Sequence, residues 1–301
     1  MNGEMQLSND RIIDHALPSG YIVIAPTSPY SGLDGNPSWL LVYHRAQLSD
    51  ILKKSAGSDP RIDPKRIHFT GFNQEGFMTW DILCHASDVV CSVAPLAASG
   101  RDDWGADVGY GDQCFMDGVA PAVHRSIMLT IGTSDPLSSA VLSRAQVDSV
   151  AAAYYEESYL PQQTSTSGLT LQAYGPTASD INVHFYEHSS ACNLYYRCGG
   201  HCFPADPARG GCEASLWGGN FGSGQEGLLY DHRCCVHDFD YGAKVLEFFQ
   251  QNPCDSSIAP TSSPPTSSPP TKLLLNGCAF SKPTLTFNCR CCGIFRLKPN
   301  Y

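Results

Sequence analysis

The chain has 301 residues, 42% of them apolar and 16% charged, with a formal net charge of −10 and fourteen cysteines. That apolar share suits a folded globular protein with one large core. The acidic balance, without a basic stripe, excludes a nucleic-acid surface as the main function, and no apolar run of about eighteen residues is present to span a membrane.

In chain order, Ser8 to Leu17 reads as the end of a helix. Gly20 to Pro26 (G-Y-I-V-I-A-P) is an apolar, β-branched run, as expected of a strand buried on both faces. Trp39 to Lys54 keeps Leu40, Leu41, His44, Leu48, Ile51 and Leu52 on one helical face. Asp59 to Pro64 reads as a turn. A strand at Ile67 to Thr70 runs into Gly71 and then into a helix over Phe77 to His85. Further strands are expected at Ser92 to Ala97, Ile127 to Ile131, Val183 to Tyr186 and Leu194 to Arg197. Asp102 to Gly118 is loop-like, Ser138 to Glu157 is a long helix, Cys212 to Cys235 a Gly-rich loop, and Asp238 to Gln250 a closing helix. Strands and helices in alternation predict an α/β fold: a mostly parallel sheet with flanking helices, disulfide-rich, over residues 1–254. In such sheets chemistry gathers at the carboxyl ends of the strands.

Fourteen cysteines point to an oxidising, extracellular compartment. Ten precede and four follow a Pro/Ser/Thr tract, T-S-S-P-P-T-S-S-P-P-T, and both counts are even, as closed disulfide frameworks require. The tract predicts an extended linker over 255–271, followed by a small Cys-rich segment over 272–301. Residues Met1 to Asp10 are polar and hold no apolar signal core, so a start lying further upstream is expected.

The stretch richest in chemistry is Arg66 to Gly76, R-I-H-F-T-G-F-N-Q-E-G. A strand, a tight turn flanked by glycines and a helix form the layout of a nucleophile elbow, G-x-S-x-G in its usual form. Here the central residue is Asn73, and the second glycine comes one position late. Asp135, in I-G-T-S-D-P-L, and His201, in C-G-G-H-C-F-P, each follow a predicted strand, in the order nucleophile position, acid, histidine.

Those three stretches resemble the secreted polyhydroxybutyrate depolymerase and feruloyl esterase group of α/β-hydrolases, over roughly residues 20–250. The resemblance implies a serine at position 73, an acid at Asp135, a base at His201 and an oxyanion donor in the backbone N–H of Gln74. It implies no cofactor and no metal, and a partner that is an ester-bearing polymer or a plant cell-wall polysaccharide. It also implies strands before Gly20, among them a His-Gly loop, expected in a segment upstream of Met1. A carboxamide cannot be deprotonated by histidine to attack an ester, so Asn73 implies a chain impaired in the covalent step, or one that binds polymer without cleaving it.

Plainer roles stand beside these. Asn tolerates the left-handed conformation of a turn. Asp135 suits a helix N-cap ahead of Ser138. His201 could be a structural histidine held by disulfides. Cys198, His201 and Cys202, with His232, Cys234 and Cys235, have the chemistry of a zinc site, but the even cysteine count favours disulfides. Trp104, Trp217 and Phe203 suit either an aromatic pocket or packing. Cys84 has the chemistry of a substitute nucleophile but lies about two helical turns past the elbow, roughly 15 Å by helix rise, so a disulfide is expected, with Cys91 one candidate partner and the pairing itself not set by the sequence. His184 and His188 flank a strand and carry no assigned role.

Overall fold

The computed structural model describes residues 12–26, 41–99, 114–115, 120–135, 138–155, 161–166, 168–175, 181–189, 200–205, 234–236, 240–254 and 292–297. Leu194 to Arg197, Trp104, Trp217, Cys198 and His232 lie outside them.

The fold is α/β. Helix α1 (Ile12–Ala16) leads into β1 (Tyr21–Ile24); α2 (Leu41–Ser58) precedes β2 (Ile62–Phe72), α3 (Gln74–His85) and β3 (Ser92–Leu96). Next come β4 (Ser126–Gly132), α4 (Ala140–Tyr155), a hairpin of β5 (Gln162–Thr166) and β6 (Leu169–Tyr174), and β7 (Val183–His188). Short strands β8 (Phe203–Ala205) and β9 (Cys234–Val236) pair with each other, and α5 (Tyr241–Gln251) and β10 (Cys292–Leu297) complete the chain. Among the described residues the main sheet has eight strands in the order β1-β10-β2-β3-β4-β7-β6-β5. Its four central strands, β2, β3, β4 and β7, are parallel, and the strands on either side are antiparallel.

The centre of the sheet follows from its residues. Ile127, Met128, Leu129 and Ile131 of β4 are buried on both faces, as a largely apolar run must be when helices cover both, while Val183 and Phe185 of β7 are buried on one face of an alternating strand. Side-chain alternation sends His68 and Thr70 of β2 to one face and Ile67 and Phe69 to the other. On the first face lies α5: Phe249 stacks on His68 at 4.6 Å, and Tyr241 Oη lies 2.9 Å from Thr70 Oγ1. Helices α2 and α3 are tied to each other by Arg45, whose Nε and Nη2 donate to the buried Asp81 carboxylate at 2.6–2.9 Å. His44, Leu48 and Leu52 form the buried stripe expected of α2.

Four features differ from the sequence reading. Residues Ile62 to Pro64, expected in a turn, belong to β2; Pro64 has no N–H for a ladder, and the β2–β10 register slips there, between the pairs Phe295↔Ile67 and Leu297↔Ile62. The β5–β6 hairpin has no counterpart among the expected strands. Cys292–Leu297, expected in a separate Cys-rich segment, is an inner strand of the main sheet and the strand partner of β1. Finally, Cys84 pairs with Cys114, and Cys91 with Cys254. Cys91 N–H donates to Ile67 O, which joins Cys91 to the sheet ladder, and its sulfur lies by Pro64 O and bonds to Cys254.

The Cys91–Cys254 bridge spans 163 residues of sequence, against 30 for Cys84–Cys114. Longer closed loops restrict the unfolded chain more, so replacing Cys91 and Cys254 together by serine is expected to lower unfolding stability by about 2–5 kcal/mol, more than the same change at Cys84 and Cys114. Urea denaturation of both double variants checks the order.

His68 is fully buried, with Nδ1 2.8 Å from Ser92 Oγ; burial, with the charge of Arg66 as a lesser cause, holds its pKa well below the ordinary 6.5. Burial lowers His184 and His124 in the same direction. A base whose folded pKa is depressed stays neutral in the native state while the unfolded chain takes up a proton. Stability is therefore full above about pH 6.5 and falls as the pH drops below it. Between pH 7 and pH 5, His68 is therefore expected to make the protein progressively less stable. Urea midpoints across that range should show a shallower pH dependence for His68→Gln than for the native chain.

Candidate active site

Strand β2 runs straight into α3 through a single residue, Asn73, with φ 55° and ψ −115°. This is not the left-handed helical well near ψ +47° that asparagine tolerates, so tolerance of that well does not account for Asn73 here. Positive φ at a non-glycine residue, outside that well, costs roughly 1–3 kcal/mol and persists only where surrounding structure imposes it. That structure is visible. Asn73 N–H donates to Leu96 O at 3.0 Å, bonding the elbow to the end of β3, and Phe77 N–H donates to Asn73 O at 3.0 Å, starting the helix.

The flanking glycines are required by close approach. A Cβ on Gly71 would run into the backbone of Glu75. One on Gly76 would lie 2.5 Å from Ala98 Cβ and 2.8 Å from Leu96 O. The late second glycine now has an explanation. Position 75, where the usual motif has glycine, can carry a side chain because it faces Gly71, which has none. Gly76 meets β3 instead. Trp80, one turn on, donates its indole N–H to Ala98 O at 3.0 Å and fastens α3 to the same strand end.

Asp135 follows β4 in a turn, its N–H donating to Gly132 O at 3.2 Å. Its side chain is fully buried and lies against His201: Nδ1 is 2.8 Å from Oδ2 and 3.0 Å from Oδ1. An ionised carboxylate only accepts, so Nδ1 carries the hydrogen and Nε2 keeps its lone pair. Nε2 is buried and has no hydrogen-bond partner among the described residues. Asp135 Oδ1 also accepts from Ser138 N–H at 2.8 Å, so the capping role expected of an aspartate here coexists with the pairing to histidine. Ser138 Oγ in turn donates to Ala97 O at the end of β3.

Two contacts bring the histidine to the elbow. The ring of Phe72, the residue before Asn73, lies 4.9 Å from the His201 ring. Gly132 packs so closely on the backbone of Gly200 that a Cβ on Gly132 would clash with it. Asp135 and His201 are thus paired just beyond the carboxyl end of β4, with the His201 ring against Phe72 at the carboxyl end of β2, the residue before Asn73. Gln74 opens α3, placing its backbone N–H at the positive end of the helix dipole, where negative charge is favoured. Asn73 and Gln74 are half-buried, within reach of solvent.

The sequence reading did not single out Phe72 or Gly132. The signals were present: an aromatic next to the elbow and a glycine ending a buried strand. His188 ends β7 opposite Gly132 and is buried, its carbonyl accepting from Thr133 N–H at 2.9 Å. His184 lies on the same strand, packed against Phe248 at 5.4 Å. Cys202 is held in a disulfide, which removes it from any zinc-ligand set. Phe203 lies in β8, and Cys234 and Cys235 in β9. Among the described residues no helix is long and apolar enough to cross a membrane.

No protein-family model and no curated protein matches the chain. Among solved structures it is similar to the Bacillus cereus carboxylesterase, at 15% sequence identity and a TM-score of 0.32, over 40% of this chain and 56% of that one. The chain thus spans little more than half the length of that esterase.

Proposed function

We propose that this chain is a carboxylic-ester hydrolase scaffold of the feruloyl esterase and polyhydroxybutyrate depolymerase kind, impaired in its covalent step by Asn73. The observation that carries this reading is the strained turn at Asn73, whose preceding residue Phe72 packs on the His201 of a buried His201–Asp135 pair. A turn with φ 55° is costly to keep for an ordinary loop, whereas a nucleophile elbow needs it to present its central side chain. In this reading Asp135 orients the imidazole, His201 Nε2 is the proton acceptor, and the N–H of Gln74 with the first turn of α3 receives an oxyanion. A hydroxyl at position 73 would lose its proton to Nε2 as it attacks the ester carbonyl. A carboxamide cannot.

The substrate class in this reading is an ester-bearing polymer or plant cell-wall polysaccharide, met outside the cell. The disulfides Cys84–Cys114 and Cys91–Cys254, and a third at Cys202, support an oxidising compartment. The test is hydrolysis of a short chromogenic ester and of methyl ferulate by the native chain and by Asn73→Ser. Native turnover at background with a gain in the variant supports the reading. Turnover by the native chain at esterase rates overturns the role given to Asn73. The second reading, a polymer-binding protein, is favoured if both chains fold, neither hydrolyses, and both are retained on insoluble polymer.

A further inference from the structure

An asparagine side chain can be attacked by the backbone nitrogen of the next residue. The product is a five-membered imide, and ammonia leaves. Closing that ring requires the next nitrogen to lie on the same side as Cβ, with the torsion Cβ–Cα–C–N near zero. Around the Cα–C bond of an L residue, Cβ stands about 120° from the backbone nitrogen, so the condition is met when ψ is about −120°. Helical residues near ψ −42° and strand residues near +135° hold the nitrogen away. Asn73 has ψ −115°. The elbow thus fixes it in the conformation that ring closure needs, and a flexible chain must find that conformation by chance.

A proton acceptor is held against Phe72, the residue before Asn73. His201 Nδ1 is committed to Asp135, Nε2 is buried without a hydrogen-bond partner among the described residues, and the ring touches Phe72. Solvent reaches the half-buried Asn73 and Gln74.

We propose that Asn73 is a site of covalent self-modification, closing onto the backbone nitrogen of Gln74 and opening again to aspartate. In the first step Gln74 N bonds to Asn73 Cγ and its proton passes to His201 Nε2. The bond from Cγ to Nδ2 then breaks, the imidazolium returns its proton to the leaving nitrogen, and ammonia departs. In the second step water adds to either imide carbonyl. Cleavage at Cγ leaves aspartate at position 73, and cleavage at the backbone carbonyl leaves isoaspartate. No oxidant or cofactor is needed. The elbow so acquires a carboxylate beside His201, whether or not the protein handles esters.

The test is peptide mapping of the full-length oxidised chain held at neutral pH, natively and in denaturant. The tryptic peptide over 67–101 contains one asparagine, Asn73. Fragmentation separates a change there from one at Gln74. Because a nucleophile held at attack geometry gains orders of magnitude in rate, position 73 is expected to gain one dalton at least about tenfold faster in the native chain than in denaturant. Both aspartate and isoaspartate should form. His201→Gln, confirmed folded by its thermal melt, should slow conversion by about a hundredfold, the ordinary worth of a positioned base. Equal or slower conversion in the native chain overturns the proposal. Aspartate without isoaspartate overturns the imide route in favour of direct attack by water, and an unchanged rate in His201→Gln overturns the role of the histidine.

Discussion

Asn73→Ser is expected to raise turnover of a short chromogenic ester by at least about a thousandfold over the native chain. Losing the serine of an assembled triad costs on the order of a million-fold, and the residual rate then comes from binding and oxyanion stabilisation alone. Restoring a hydroxyl at a turn already held at φ 55°, beside a histidine already paired to a buried carboxylate, should recover a large part of that loss. The change needs little room, since serine is smaller than asparagine and Gly71 and Gly76 already allow the close approach. The gain must depend on the pair. Adding Asp135→Asn or His201→Gln to Asn73→Ser should return turnover to near the native level, because members of a triad act as a unit. A gain that survives loss of His201 would mean that the introduced serine is activated elsewhere, and would remove the catalytic reading of the His–Asp pair. Comparing chromogenic ester, methyl ferulate and a hydroxyalkanoate ester in the same variant then asks which ester the pocket fits.

Much of this site was readable from residue order because its parts are local. A buried strand ending in Gly71, one residue, then a helix defines the elbow within a few positions, and Asp135 and His201 each lie in a short turn. The centre of the sheet was readable for a similar reason: Ile127 to Ile131 is apolar but for Thr130, and only a strand covered on both faces buries all five. The β5–β6 hairpin was not readable, since Gln162 to Thr166 is polar and exposed and has no alternation to mark it. Long-range pairing was not readable either. Nothing in Cys292 to Leu297 names β1 and β2 as neighbours, because a short apolar run fits many sheet positions and the intervening chain sets no distance. The disulfides repeat the lesson: Cys91 chose Cys254 because Cys91 is fixed in the ladder next to Ile67, a tertiary fact. The parts of the site that stayed hidden, Phe72 against His201 and Gly132 against Gly200, are contacts of the same non-local kind.

Gly132→Ala is the sharpest test of how the site is held together. Gly132 ends β4, and its Cα faces the backbone of Gly200, the residue before His201. An added methyl meets backbone, which cannot swing aside as a flexible side chain can, so either β4 or the histidine turn must shift. The β4 side is pinned: Gly132 pairs with His188, Thr133 N–H donates to His188 O, and Gly132 O accepts from Asp135 N–H. The turn at Gly200, with φ 102°, is the side that gives way. Movement there draws His201 off Asp135 while leaving the elbow intact. Overpacking of this kind is expected to cost about 1–3 kcal/mol of stability. The effect on chemistry should be larger in relative terms, since displacement of a reacting group by about 1 Å can cost a hundredfold in rate. In the Asn73→Ser background, Gly132→Ala should therefore lower ester turnover by about a hundredfold or more, with the fold retained at room temperature. Gly57→Ala, at a helical glycine where a Cβ would meet nothing, serves as the control and should change neither turnover nor fold. If Gly132→Ala leaves turnover unchanged, the histidine turn is not positioned through this contact, and Phe72 becomes the residue to test next.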